Sequence, residues 1–420
     1  MQLMRSAHKL PHPVYMLVLV DIFAFSLLFF RETPYDISPL IVGLSLIASI
    51  LMVYFLIRGF KLGDEYIFLI VSMLFSIGAV MLYRLDSELG IKQAKWLGIG
   101  LVAFFAGYFI FGWFKVWDRL LFFYMAASMG LFAVTMGFGR EIKGSNNWIV
   151  FQGFSIQTSE IAKILFLFFL ASYYSQREKL FARFSKVRVT AAFMLVAYLL
   201  MGLLVLQKEW GTPLVLFLVY FAVIYIFEKD VRILLVNALA AVTAGTAGVL
   251  FVHHIRVRVD AWINPWADIA QKGYQIAQSL FAIGAGGFFG TGIGLGRPEL
   301  IPEVRTDFIF SAICEEMGIF GGVAVILLFL LLVYRGFKIA LRCGEVFEKT
   351  LALGITLMFA FQTFVIIGGV IKLLLLTGIT LPFISYGGSS LVTNFAALGV
   401  LQRISAKQAT AERSTAYEDR

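Results

Sequence analysis

The chain has 420 residues, 60% hydrophobic and only 15% charged, whereas a soluble domain is usually about half apolar and about a quarter charged. Its formal net charge is +9. In so apolar a chain that surplus reads as cytoplasmic Lys and Arg between membrane spans, and it argues against a nucleic-acid partner.

Apolar runs of about 18 residues or more recur along the whole length, the mark of a polytopic helical membrane protein. The sequence predicts twelve spans: 13–31, 37–58, 66–84, 95–114, 119–137, 157–175, 189–206, 211–227, 233–253, 307–334, 349–371 and 384–402. The first run is too long for a signal-peptide core and lacks a small-residue cleavage site, so it reads as a retained helix. The 43 phenylalanines predict a bulky, aromatic lipid-facing surface. With the N-terminus inside, the densest basic loops are cytoplasmic. These are 176–188, with Arg177, Lys179, Arg183, Lys186 and Arg188, and 335–348, with Arg335, Lys338 and Arg342. The polar tail from Arg403 returns to the cytoplasm and reads as disordered. Cys314 and Cys343 fall in different segments, and His8, His12, His253 and His254 form no ligand motif, so no disulfide framework or metal site is evident.

On the outer side, "KGSNNWIVFQGFSIQ" (143–157) reads as a tight loop with Trp148 at the interface. "QTSEIAKILF" then places Glu160 and Lys163 three residues apart on one helix face. Ionisable groups inside a span are costly and are candidates for function. The alternative is a pair just outside the hydrocarbon, with Lys163 reaching to the interface. "QKEWGTP" (207–213) caps the eighth span from outside.

The outer segment 254–306 is long enough to be functional and too varied to be low-complexity. Its aromatic residues predict short amphipathic pieces lying on the membrane surface. Pro265 stops any helix ahead of Asp268, and Trp262 and Trp266 suit the lipid–water boundary. A carboxylate held there is placed for a substrate with its tail in lipid and its head in water. It would equally serve to cap a helix starting near Gln271. Lys272, Tyr274, Gln275 and Gln278 follow in the same segment. The glycine-rich "SLFAIGAGGFFGTGIGLG" (279–296) lacks the features of a nucleotide loop, and close packing accounts for most of its glycines.

"PEVRTDFIFSAICEEMGIFGG" places Arg305, Thr306, Asp307, Glu315 and Glu316 at and within the tenth span, where the carboxylates should face a polar cavity or cations. "PFISYGGSSL" opens the last span with Ser385, Tyr386, Ser389 and Ser390. By this topology the outer ends of spans six, eight, ten and twelve converge with 254–306 on the extracytoplasmic face.

Together, "NNWIVFQGFSIQTSEIAKI", "QKEWGTPL", "WINPWAD", "GYQIAQSLFAIGAGGFFGTGIG", "PEVRTDFIFSAICEEMGIFGG" and "LPFISYGGSSL" resemble, in order and over about residues 66–403, the SEDS family (shape, elongation, division and sporulation) of peptidoglycan polymerases. The resemblance implies an all-α polytopic fold with a ten-helix core over 66–403. Two additional N-terminal helices lie within 1–65, the catalytic loop spans 254–306, and 404–420 forms a cytoplasmic tail. It implies a glycosyltransferase that polymerises lipid II, an undecaprenyl-diphosphate glycolipid, for elongation, division or sporulation. Asp268 matches the family's essential loop aspartate, Lys163 and Glu160 its paired groups, and Arg258 a basic residue ahead of the Asn-Pro turn. On this reading Asp268 is the general base, and Lys163, Arg258, Lys272 or a divalent cation meets the leaving diphosphate. The motif blocks make Glu160, Tyr274, Gln275, Gln278, Arg305, Thr306, Asp307, Glu315, Glu316, Ser385, Tyr386, Ser389 and Ser390 candidate substrate contacts. A class B penicillin-binding protein transpeptidase is the implied partner, in a bacterial plasma membrane. The departures are Ile269, where the family often has Pro; Thr158 after Gln157, where Pro is usual; and Glu209, where Asp is more frequent. A flippase for a lipid-linked precursor and a non-enzymatic scaffold remain as alternatives.

Overall fold

The computed structural model describes residues 12–31, 35–142, 144–151, 154–271 and 273–418. Among them lie fourteen α-helices: α1 (Pro13–Arg31), α2 (Ser38–Gly59), α3 (Glu65–Leu85), α4 (Ser87–Trp113), α5 (Leu121–Phe138), α6 (Thr158–Arg183), α7 (Lys186–Leu206), α8 (Gly211–Phe227), α9 (Val231–Phe251), α10 (His253–Ile263), α11 (Tyr274–Gly286), α12 (Ile309–Arg342), α13 (Val346–Val370) and α14 (Gly388–Glu418). Nine described helices are long and apolar enough to cross a membrane, and α8 is a shorter apolar helix. With α6 and α14 they account for all twelve predicted spans. In α6 the Glu160–Lys163 pair and the polar end "QREKLFAR" dilute the hydropathy. In α14 the polar residues after Arg403 do the same.

Helices α10 and α11 are the short pieces expected within 254–306. Asp86 sets the start of α4 eight residues earlier than predicted, because its carboxylate accepts the backbone N–H groups of Glu88 and Leu89 at 3.0 and 3.3 Å.

Two segments differ from the sequence reading. Strands β1 (Arg140–Ile142), β2 (Ser145–Phe151) and β3 (Phe154–Gln157) form an antiparallel meander in strand order β1-β2-β3. Trp148 pairs with Gln157, and Ile149 with Ile156. The run Trp-Ile-Val-Phe is aromatic and β-branched, so it favours a pleated ribbon over a loop. The tail is also not disordered over its described part, since α14 continues to Glu418. Polarity suggested disorder, but these residues are mostly good helix formers and include neither Gly nor Pro. The extension is tied down as well. Lys407 pairs with Glu345 at 2.9 Å and Glu348 at 2.8 Å, and Gln408 donates to the Ile339 carbonyl at 3.0 Å.

The core gathers around α3 and α13, which are surrounded by other helices along most of their length. By contrast, α9 buries only Asn237 and Gly248. Helix α14 packs along α4. They approach closely at Gly107 and Gly399, where a Cβ would overlap the opposing backbone. Helices α1 and α2 lean on α3, and the buried Asp21 accepts a hydrogen bond from Ser76 at 3.2 Å.

The glycine-rich stretch proves to be a packing element. Helix α12 breaks at Gly318, which has φ 70°. There its backbone pairs with the 287–292 segment: Ile319 N–H donates to Gly287 O at 2.9 Å and Thr291 N–H to Glu315 O at 2.9 Å. A side chain at Gly318 or Gly290 would collide with that backbone.

Candidate functional site

The first two turns of α6 carry Glu160 and Lys163, both buried. Lys163 Nζ lies 2.9 Å from Glu160 Oε2 and donates to Gln362 Oε1 of α13 at 3.3 Å. Thr393 of α14 donates to the same Glu160 oxygen at 3.0 Å. Gln362 in turn donates to the Thr380 carbonyl at 2.8 Å, and the Thr380 and Ser390 hydroxyls are 3.0 Å apart. The pair is thus stitched to two helices made some 200 residues later in the chain.

This network faces a polar cavity of about 310 Å³. Eight of the candidate site residues line it: Glu160, Lys163, Arg258, Thr306, Asp307, Tyr386, Ser389 and Ser390. The Arg258 guanidinium and the Asp307 carboxylate flank Gly378, within 3.7 Å of where a Cβ would stand. Arg258 also donates to the Leu376 carbonyl at 3.1 Å. Gly378 has φ 75°, a conformation that glycine adopts without strain.

Four contributors were not selected as site residues from sequence. Glu209, between α7 and α8, lines the cavity and is buried, with its carboxylate accepting hydrogen bonds from Asn147 of β2 and Thr212 of α8. Burial pushes its carboxyl above the usual range, while the hydroxyls of Thr212 and Ser159 pull the other way. Asn147 also holds α6, donating to Ser159 Oγ at 3.3 Å and accepting from Thr158 Oγ1 through its carbonyl at 3.1 Å. The meander is therefore a structural wall of the site. Gln362 and Thr393 complete the set.

The other candidates lie elsewhere. Asp268 closes a short 3-10 turn, Pro265–Asp268, and is half-buried in a separate recess with Asp260, Asn264 and Ala267. Asn264 caps that turn, accepting the Trp266 N–H at 3.2 Å. Helix α11 begins at Tyr274 without a side-chain cap, so Asp268 is not its cap. Trp262 anchors the unit by donating from its indole to the Lys372 carbonyl at 3.2 Å. Tyr274, Gln275 and Gln278 are half-buried on α11, outside the cavity, and Lys272 lies outside the described residues.

Arg305 pairs with Asp86 at 3.2 Å, and the Ser385 hydroxyl donates to the Thr306 carbonyl at 2.5 Å. Glu316 pairs with Arg84 at 2.5 Å and accepts the Gly294 N–H at 2.9 Å, while Glu315 accepts the Arg297 N–H at 2.7 Å. These two carboxylates fasten the glycine-rich segment to α12.

A bundle of this kind, with a buried cation–carboxylate pair opening into a polar cavity, is a multi-pass membrane protein. More narrowly, the chain belongs to the FtsW/RodA/SpoVE family, whose model, described as "Cell cycle protein", matches residues 37–410. That match includes α2 and leaves α1 outside. The chain is 33% identical over 402 residues to "Peptidoglycan glycosyltransferase RodA" of Mycobacterium tuberculosis, covering 89% of this chain and 84% of that protein. It is 35% identical over 360 residues to "Stage V sporulation protein E" of Bacillus subtilis, covering 81% and 96%. Among solved structures, Thermus thermophilus RodA superposes with a TM-score of 0.61 at 28% identity, covering 82% of this chain and 97% of that one. A chain from a structure described as "Structural coordination of polymerization and crosslinking by a peptidoglycan synthase complex" gives 0.68 at 30% identity, covering 82% and 98%.

Proposed function

We propose that this chain is a peptidoglycan glycosyltransferase that polymerises lipid II at the extracytoplasmic face of a bacterial plasma membrane. The observation that carries the reading is the buried Lys163–Glu160 pair at the wall of a polar cavity shared with Arg258. The named activity of the relatives supports it. Apolar helices suit a substrate whose tail is in lipid, and the cations suit its diphosphate.

In the reaction, the acceptor sugar's 4-hydroxyl attacks the donor's anomeric carbon. The new glycosidic C–O bond forms as the bond to the diphosphate breaks. Lys163 and Arg258 receive the charge that develops on the departing diphosphate. Such a leaving group needs little protonation, so one carboxylate suffices as base. Asp268 takes the hydroxyl proton. It follows Arg258 on one helix–turn unit, and because the anomeric carbon is bonded directly to the diphosphate, the reaction requires this turn to close on the bound donor so that the carboxylate reaches the attacking hydroxyl. Among the described residues no three His, Cys, Asp or Glu side chains converge as a metal site.

The basic 176–188 and 335–348 segments, read as cytoplasmic, support an outward-facing cavity. The solved relative from a peptidoglycan synthase complex supports a cross-linking partner, which we assign as a class B penicillin-binding protein.

The test is polymerisation of purified lipid II by the purified protein. Asp268→Asn should lower the rate by about 10²–10⁴ without loss of membrane expression. Polymer at a near wild-type rate would remove Asp268 as the base, and no polymer from the wild type, alone or with the partner, would favour a flippase or a scaffold.

A further inference from the structure

A second cavity, of about 300 Å³, opens sideways between α5, α6 and α7 and belongs to no part of the polar site. Phe169, Tyr173 and Phe193 form its buried floor, and Phe122 and Phe184 stand exposed at its walls. The floor is rigid: the Tyr173 and Phe193 rings stack 3.7 Å apart and within 4° of parallel. Helices α5 and α7 both pack on α6 but touch each other little, which leaves the groove open to its surroundings.

The single charged residue lining it is Arg188, in the first turn of α7. Arg188 is exposed and makes no ion pair or hydrogen bond among the described residues. Other nearby groups are engaged. Arg177 is paired with Glu228 at 2.7 Å, and Lys186 lies over the Phe181 ring at 5.6 Å. The groove uses the start of α5, the second half of α6 and the start of α7, so it lies in the leaflet bordered by the basic 176–188 segment. With the orientation proposed above, that leaflet is cytoplasmic.

An apolar slot facing a bilayer is filled by hydrocarbon, and a chain lying in this one ends at headgroup level beside a guanidinium. Basic pockets between spans on the cytoplasmic side attract anionic headgroups, and a guanidinium meets a phosphate with two parallel hydrogen bonds. We propose that the α5–α6–α7 groove binds an acyl chain of an anionic phospholipid, with the lipid's phosphate on Arg188.

The test exposes the purified full-length protein, in detergent, to phosphatidylglycerol or to phosphatidylcholine with the same chains. Native mass spectrometry then counts the retained lipid. The wild type should prefer phosphatidylglycerol by about fivefold, the weight of one interfacial cation. Arg188→Gln should bring the ratio near one, and Arg188→Lys should keep most of it. Ala192→Trp, at an exposed lining position, should fill the slot and lower retention of both lipids. Equal retention of the two lipids by the wild type would overturn the proposal. So would a preference unchanged in Arg188→Gln, or retention unchanged in Ala192→Trp, which would leave the groove to another helix. The readout uses no lipid II, so its outcome is separate from that of the polymerase reading.

Discussion

Replacing Lys163 with Met removes the cation and keeps much of the chain length. In the wild type both charged side chains are nearly inaccessible, at 3% for Lys163 and 6% for Glu160, and their atoms are 2.9 Å apart. Removing one partner of a buried pair costs about 3–5 kcal/mol, because the other charge is left uncompensated. Thr393 still donates to Glu160, and a hydrogen bond to a charged group contributes about 1.5–3 kcal/mol. The expected loss therefore sits near the lower end, about 3 kcal/mol, or on the order of 10² in the folded-to-unfolded ratio. Lys163→Met/Glu160→Gln leaves no orphan charge and should recover most of that stability. Unfolding of the purified variants in detergent reads stability, and polymerisation of lipid II reads chemistry. Both variants should be nearly inactive, because both lose the Lys163 ammonium and Arg258 alone must meet the diphosphate, whereas Lys186→Met on the basic 176–188 segment should behave as wild type. Recovery of polymerisation by the double variant would reduce Lys163 to a neutraliser of Glu160 and refute its role at the leaving group.

Orientation is testable because both native cysteines are buried, which leaves a clean background for labelling. A cysteine at the exposed Gln271 should react with an impermeant thiol reagent in intact cells, while one at the exposed Lys179 should react only after permeabilisation; the opposite pattern would invert the topology. A chain lacking residues 1–60 should still polymerise lipid II, since neither α1 nor α2 lines the polar cavity. A folded, correctly inserted truncation with no activity, even with its partner, would place those helices in the shaping of the site.

The spans were legible because a membrane demands long apolar runs, and such runs survive in the sequence without any knowledge of tertiary contacts. The Glu160–Lys163 pair was legible for the same reason in reverse, as charge where hydrocarbon was expected. Gln362 and Thr393 were not, because single uncharged polar residues inside apolar helices are common and their partner lies 199 or 233 residues away. Asn147 and Glu209 meet across 62 residues, and neither interrupts a span. Glu315 and Glu316 were conspicuous as intramembrane carboxylates, yet their partners are Arg84 and the backbone of the glycine-rich segment, placed by the break at Gly318. The sheet was missed because an aromatic and β-branched run between two spans also reads as an interfacial loop.

The pairing of α14 with α4, and of α13 with α6, has a consequence for biosynthesis. A ribosome releases α6 with its charged pair long before Gln362 and Thr393 exist, so the nascent chain carries Glu160 and Lys163 into the bilayer without their later partners. The cavity comes into being only as Ser389, Ser390 and Thr393 leave the translocon, the last of them 233 residues after Glu160. A chain terminated just before that point would insert most of its spans and be counted as membrane protein by any antibody to its N-terminal half. It would nonetheless lack the Ser389, Ser390 and Thr393 side of the cavity.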